Sequence, residues 1–294
     1  MVAQDWLAGR FEENRSHLRA VAYRMLGSLN DADDAVQEAW LRLSRSDAGD
    51  IDNLSGWLTT VVARICLDIL RTRSSRREEV LPDSPAGATR SAAYAIDPEQ
   101  EAVMADAVGV AVLVMLDRLA PAERLTFVLH DMFGLSFDEI APIVGRSPIA
   151  SRQLASRARR RVQGVGSTAN SDLKRQRELA DAFLTALRAG DIEGLLAVLD
   201  PDVVVRLDEA TTPSGVPREI RGARNWARGA VAFSKNVGVH YVEPAIVDGT
   251  VGLVWAPHGK LQRALRLTFA QHKIVRVDII GDPARLRDLS LGVF

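Results

Sequence analysis

The sequence predicts a multidomain chain: two all-α modules, then an α+β domain. Three observations predict it. Up to Val162, apolar residues recur at helical spacing, in stretches closed by Gly27, Gly134 and Gly145. Two breaks rich in proline, glycine and serine interrupt them, one over 78–97 and one after Gly164. From Val203 onward, β-branched and alternating runs take over. The expected boundaries are therefore 1–77 helical, 78–97 linker, 98–166 helical and 172–294 α+β.

The first helix holds Phe11, Leu18, Val21, Ala22, Met25 and Leu26 at helical spacings, and Gly27 stops it. The second runs from Asn30 to Leu43, with Asn30 or Asp31 as cap and Asp33 and Asp34 near its positive end. Val36, Trp40 and Leu43 make its apolar stripe, leaving Asp34, Gln37, Glu38 and Arg42 outside. The third runs from Trp57 to Arg77, with Trp57, Val61, Ile65 and Ile69 on one line. Arg71, Arg73, Arg76 and Arg77 crowd its last turns, where they suit the helix dipole and equally suit phosphates.

After the linker, Asp97-Pro98 restarts helix, with Glu99 and Glu101 in its first turn. Pro121 opens the next helix, whose stripe is Leu125, Val128, Leu129 and Met132. Ser136 and Glu139 then form a capping box, and Phe137, Ile140, Ala141 and Val144 share one face. Gly145 ends that helix; Ser147 caps the following one, and Pro148 fits its first position. Ala150, Leu154, Ala158 and Val162 are expected inside, with Arg152, Gln153, Ser156, Arg157, Arg159, Arg160 and Arg161 outside. Gly145 to Val162 contains no acidic residue. A short helix, a tight turn and an arginine- and amide-faced helix suit the major groove.

The last third opens with a helix over 173–189, carrying Leu179, Ala182, Phe183, Ala186 and Leu187 on one face. A shorter helix with Leu195, Leu196 and Leu199 follows the Gly190-Asp191 turn. Strands are expected at 203–207, 240–247 and 251–255, the last two joined by the hairpin signal Asp248-Gly249. Leu265, Leu267 and Phe269, then Val275, Val277 and Ile279, alternate with polar residues. Helices first and antiparallel strands after them argue for helices on one face of a sheet.

With 294 residues and 47% hydrophobic content, the chain has room for two or three domains with proper cores. Its net charge is −1, so a nucleic-acid surface has to be local. The one cysteine, Cys66, excludes an intrachain disulfide and fits a reducing cytoplasm. The opening stretch has no signal-peptide core, and the most apolar run, Ala107 to Leu116, is too short to cross a bilayer. The histidines are scattered without metal-ligand spacing. A soluble cytoplasmic protein with no metal, cofactor or membrane contact is the expectation.

The segments Asn30 to Leu43 and Trp57 to Arg77, followed by the helix-turn-helix, resemble regions 2 and 4 of the sigma-70 family in its extracytoplasmic-function branch. The resemblance implies a transcription initiation factor. It implies that Asp34, Gln37, Glu38 and Trp40 dock on the β′ clamp helices of RNA polymerase core. It implies that the loop at Asn53 and the following helix open and read the −10 element. Asn53, Arg64 and Asp68 would supply polar edges there, and Arg71, Arg73 and Arg76 the charge. The −35 element would meet Arg152, Gln153, Ser156 and Arg157 at its bases, and Arg159, Arg160 and Arg161 at its phosphates. Val80 to Pro85 resembles a linker motif of one subgroup, without its tryptophan.

The C-terminal order of elements resembles the SnoaL-like, or NTF2-like, fold: a curved sheet wrapped round a cone-shaped cavity. One sigma subgroup, the mycobacterial sigma factor J type, carries such an extension. Two motifs of that subgroup fall near Asp208 to Thr212 and near Asp282 to Leu286, each only partly kept. The extension is expected to pack in cis on the sigma domains or the linker. Some relatives of this fold are enzymes, which need a carboxylate or histidine beside an apolar pocket. Asp208, His240 and Asp278 are the residues that would line one, but polar residues of alternating strands usually face solvent, so no catalytic residue is assigned. Two other readings stand beside this one: a one-component helix-turn-helix regulator with a small-molecule sensor, and a DNA-binding part fused to a SnoaL-type enzyme.

Overall fold

The computed structural model describes residues 2–46, 51–79, 109–164, 171–237 and 239–294. By internal packing the chain divides into two units. One is Met1–Glu101 with Leu116–Arg159; the other is Ala102–Met115 with Arg160–Phe294. The division groups the three modules drawn from sequence differently, because the ends of two helices pack with the second unit. Most of the linker, together with Pro98, Glu99 and Glu101, lies outside the described residues.

The first unit begins with α1 (Val2–Leu26), α2 (Leu29–Leu43) and α3 (Leu54–Glu79). Phe11, Leu18, Val21 and Met25 of α1 meet Ala32, Val36 and Leu43 of α2 and Leu58, Val62 and Cys66 of α3 in one buried core. Two expectations need correction. The cap of α2 is Ser28, whose hydroxyl accepts the Asp31 amide, and not Asn30 or Asp31. Ser28 is the residue still in extended backbone, so the cap falls there. The buried stripe of α3 is Leu54, Leu58, Val62, Ile65 and Cys66, while Trp57, Val61 and Ile69 are half-buried. Helix α3 is covered by α1, by α2 and by two later helices, so its buried face is wider and turned from the single line expected.

The same unit contains α4 (Val110–Asp117) from its last two residues, α5 (Pro121–Phe127), a π turn at Val128–Met132, α6 (Phe137–Val144) and most of α7 (Pro148–Gln163). Arg124 of α5, 2% exposed, donates twice to the Arg24 carbonyl, at 3.2 and 3.1 Å. It thereby satisfies one of the carbonyls that the end of α1 leaves unpaired. The α6 cap follows the sequence reading. Ser136 Oγ accepts the Glu139 amide, and the Glu139 carboxylate accepts the Ser136 amide at 2.8 Å. Gly145 closes α6 with φ 74°, the left-handed conformation expected of it. The buried stripe of α7 is Ser151, Ala155, Ala158 and Val162; Ala150 and Leu154 are half-buried. A strict four-residue repeat drifts around a helix of 3.6 residues per turn, whereas the observed spacing holds one line.

The second unit carries α8 (Ser171–Ala189) and α9 (Ile192–Val198), then β1 (Leu199–Leu207) and β2 (Arg218–Arg221). Helix α10 (Ala223–Val237) precedes β3 (Val242–Val247), β4 (Thr250–Trp255), β5 (Arg263–Ala270) and β6 (Lys273–Ile280). A short α11 (Pro283–Asp288) and β7 (Leu291–Gly292) complete it. The sheet order is β2-β1-β6-β5-β4-β3-β7. Asp248-Gly249 makes the β3–β4 hairpin with φ 51° and 82°, the primed turn that the sequence signals. The sheet is mixed and not wholly antiparallel, because β1 pairs in parallel with β6 through Val205 and Val277. Strand β2 and helix α10 are additions to the elements read from sequence. On the inner face, Val203 and Val205 of β1, Val251 and Leu253 of β4, Leu267 of β5 and Val277 of β6 pack with Phe183 of α8 and Trp226 of α10.

Candidate nucleic-acid interface and C-terminal cavity

The outward side of α7 is built by elimination. Its small residues, Ser151, Ala155 and Ala158, fill the inner line, so the longer ones point away. Arg152, Gln153, Ser156, Arg157, Arg160 and Arg161 are exposed and Arg159 is half-buried. Two of the arginines are held by acids. Arg157 Nε lies 3.2 Å from Glu123 Oε1, and Arg159 Nε pairs with Asp131. Arg152 lies with its guanidinium 5.4 Å from the centre of the Phe137 ring. Ile149, 71% exposed in the first turn, escaped the sequence reading. An exposed apolar residue at the groove-facing end of a helix suits contact with a thymine methyl.

On α2, Asp34, Gln37 and Leu41 are exposed and Glu38 is half-buried, paired with Arg42 at 2.9 Å. They fall at i, i+3, i+4 and i+7, one outward stripe. Leu41 is an apolar member that periodicity alone had left out. Trp40 sits off this line, half-buried, with its ring 5.1 Å from that of Phe11.

The six residues expected at the −10 element fall into separate groups. Asn53 caps α3, its Oδ1 accepting the Gly56 amide at 3.0 Å. Arg64, Asp68 and Arg71 are exposed along one line of α3. Arg73 lies elsewhere, its guanidinium 2.7 Å from Asp31 of α2. Arg76 is exposed near the end of α3.

The inner face of the sheet, α8 and α10 enclose a cavity of about 530 Å³. Its walls include Phe183, Leu253, Trp226, Phe233, Trp255 and Ile279, with Arg263 as the charged member. Arg263 starts β5 on the same face as Leu265 and Leu267, by the two-residue period of a strand. Asp208 and Asp278, expected at such a pocket, are not among its lining residues. Asp208 Oδ2 accepts the amides of Gly281 and Asp282 at 2.8 and 2.9 Å and lies 3.6 Å from Arg285. The two partly kept motifs therefore meet. Asp278 faces the opposite side of the sheet from Val277 and Ile279 and pairs with Arg266 and Arg276. His240 lies in the short turn Val239–Tyr241, and its side chain is outside the described residues.

Among the described residues there is no cluster of three or more metal-ligating side chains, and no helix long and apolar enough to cross a membrane. Cys66 is buried, and burial pushes its thiol up to about 12, so it is inert at neutral pH.

Residues 10–76 match the family described as Sigma-70 region 2, and residues 109–162 the one described as Sigma-70, region 4. A probable ECF RNA polymerase sigma factor SigI of Mycobacterium tuberculosis is 33% identical over 292 residues, 98% of each chain. The ECF RNA polymerase sigma factor SigJ of the same organism is 36% identical over 246 residues, 82% of this chain and 78% of its own. The crystal structure of the Mycobacterium tuberculosis extracytoplasmic function sigma factor SigJ aligns at 31% identity, over 95% of this chain and 98% of that one, with a TM-score of 0.46.

Proposed function

The chain belongs to the extracytoplasmic-function sigma factors of the sigma-70 family, and from that premise we propose how its surfaces divide the work of initiation. The outward stripe of α2, Asp34, Gln37, Glu38 and Leu41, docks on the β′ clamp helices of core polymerase. Arg64, Asp68, Arg71 and Arg76 of α3 meet the opened −10 strand, and Asn53 positions the start of that helix. Arg152, Gln153, Ser156 and Ile149 of α7 read the −35 element. Arg160 and Arg161 meet phosphates, and Arg157 and Arg159 do so while tied to Glu123 and Asp131. The observation that carries this reading is the pairing of an acidic and amide stripe on α2 with an arginine side on α7, a helix that has no acidic residue of its own. An enzyme surface and a DNA duplex want opposite charge, and one chain presents both.

The C-terminal domain acts in cis and without catalysis. Two contacts inside the second unit support a cis role. Glu243 of β3 accepts the Ala111 amide at 3.0 Å, at the positive end of α4, and the Val293 amide donates to the Val162 carbonyl at the end of α7. Gly292 makes that second contact close, since a Cβ there would meet the Gln163 carbonyl at 2.7 Å. A non-catalytic role is supported by Asp208 and Asp278 not being among the cavity's lining residues, with Asp208 Oδ2 on two amides and Asp278 on two arginines.

Reconstitution with core polymerase tests the reading. The full chain or one ending near Gly166 is expected to support promoter-specific transcription, and Gly292→Val is expected to shift the full chain's activity toward that of the truncated one. Failure of both forms to direct specific transcription refutes it. A one-component regulator would instead bind free promoter duplex without polymerase, and would leave the stripe on α2 without a role.

A further inference from the structure

The cavity under the sheet has the size of a small-molecule site, since such sites run from roughly 300 to 1,000 Å³. Its chemistry is lopsided. The hydroxyls on its wall spend their protons on backbone: Thr211 on Asp208, Thr212 on Val216 and Ser234 on Val231. One donor is differently placed. The Arg263 guanidinium lies between two rings, 4.8 Å from the centre of Phe233 and 5.1 Å from that of Trp255. Burial lowers its pKa from the ordinary value, and Asp208 opposes that through its charge. Asp208 itself is held by the Gly281 and Asp282 amides, so it does not neutralise the site by direct pairing. A guanidinium stays charged under these conditions.

The walls are aromatic as well as apolar. Phe183 and Trp226 lie stacked, 5.4 Å apart and 7° from parallel. Flat rings of that kind favour a flat apolar guest. A guest that also presents a charged acceptor would satisfy Arg263. One cation matches a single negative charge; a phosphate dianion would leave charge uncompensated in an apolar chamber.

We propose that this cavity binds a planar aromatic or polycyclic carboxylic acid, with the carboxylate on Arg263 and the rings between Trp226, Phe233 and Leu253. The site is distinct from the polymerase and promoter surfaces, and its occupancy is measurable without either.

The test is calorimetric titration of the full chain at neutral pH with 2-naphthoic acid and, separately, with its neutral amide. The acid is expected to bind about tenfold or more tightly than the amide, as a charge-assisted hydrogen bond implies. In Arg263→Gln that preference is expected to vanish while the amide still binds, and Arg263→Lys is expected to restore part of it. No binding of the acid, or equal binding of acid and amide by the unaltered chain, overturns the proposal without recourse to any variant. So does a preference for the acid that survives in Arg263→Gln.

Discussion

Replacing Arg157 by alanine is expected to loosen the helix-turn-helix as well as any DNA contact, because Arg157 stands on a buried acid. Its side chain is 49% exposed, and that of Glu123, 3.2 Å away, only 6%. Removing one partner of a fully buried pair costs about 3–5 kcal/mol, whereas an exposed pair is worth about 0–1 kcal/mol. With one partner inside and the other half in water, about 1–2 kcal/mol follows. The figure stays low because Glu123 keeps other support, including the Ala120 amide at 3.4 Å. Expressed as local opening, the loss is about 5- to 30-fold. Hydrogen–deuterium exchange on the full chain reads it directly. Amides of α5 and of residues 148–158 should exchange faster by that factor in Arg157→Ala. Adding Glu123→Gln should recover part of the protection, since a neutral amide costs less to leave buried. Arg152→Ala, outside that pair, should leave exchange unchanged. Unaltered exchange in Arg157→Ala would refute the reasoning and make Arg157 a plain surface cation.

Four further outcomes follow from the same geometry. Ser136→Ala should cost about 1 kcal/mol as a lost cap. The hydrogen bonds from Ser136 hold the Glu139 carboxyl below its ordinary 4.5, so the carboxylate's share of the capping box is whole above that pH and fades as pH falls through the lowered value, while the bond from the Glu139 amide to Ser136 Oγ does not titrate. An NMR titration of Glu139 should show it returning toward its ordinary range in the variant. Leu41→Asp should weaken capture of core polymerase at unchanged Tm, because that side chain is already 38% exposed; Trp40→Ala should instead lower Tm, by about 2 kcal/mol of lost packing on Phe11. Cys66 should react with iodoacetamide only as fast as the first unit opens, and rapid labelling of the folded chain would contradict its burial.

What the sequence disclosed follows from how local each cause is. The helix-turn-helix was legible nearly residue by residue, since Ser136, Glu139, Gly145 and Pro148 act within one turn of themselves. The phases of α3 and α7 were not, because a stripe turns to meet whichever helices cover it. Helix α10 left a signal that went unread: Ala223, Trp226, Ala227, Ala230 and Val231 repeat at helical spacing. Arg263 was within reach too, since carrying the alternation of Leu265 and Leu267 two residues back puts it on the inner face. Asp208 was beyond reach. Its partners, Gly281 and Asp282, are separated from it in sequence by most of the strands of the sheet, and no local pattern announces a carboxylate oxygen that accepts two amides there.

Near-neutral overall charge and the proposed basic reading helix are compatible because the 37 basic residues are balanced by 38 acids over the whole chain, and several arginines are paired with acids in the fold. Arg73 pairs with Asp31, Arg157 with Glu123, Arg159 with Asp131, and Arg266 and Arg276 with Asp278. Such pairs fix helices against one another and contribute little field at a distance, since opposite charges a few ångströms apart cancel beyond a Debye length. On the proposed reading, the field that steers toward DNA is set by arginines outside pairs of this kind, such as Arg152 and Arg160 on α7. A chain with every arginine exposed would hold any polyanion. One with part of them tied back has a lower non-specific affinity and, on the proposed reading, leaves discrimination to the few side chains that meet base edges. That balance suits a protein whose grip on DNA is meant to depend on polymerase.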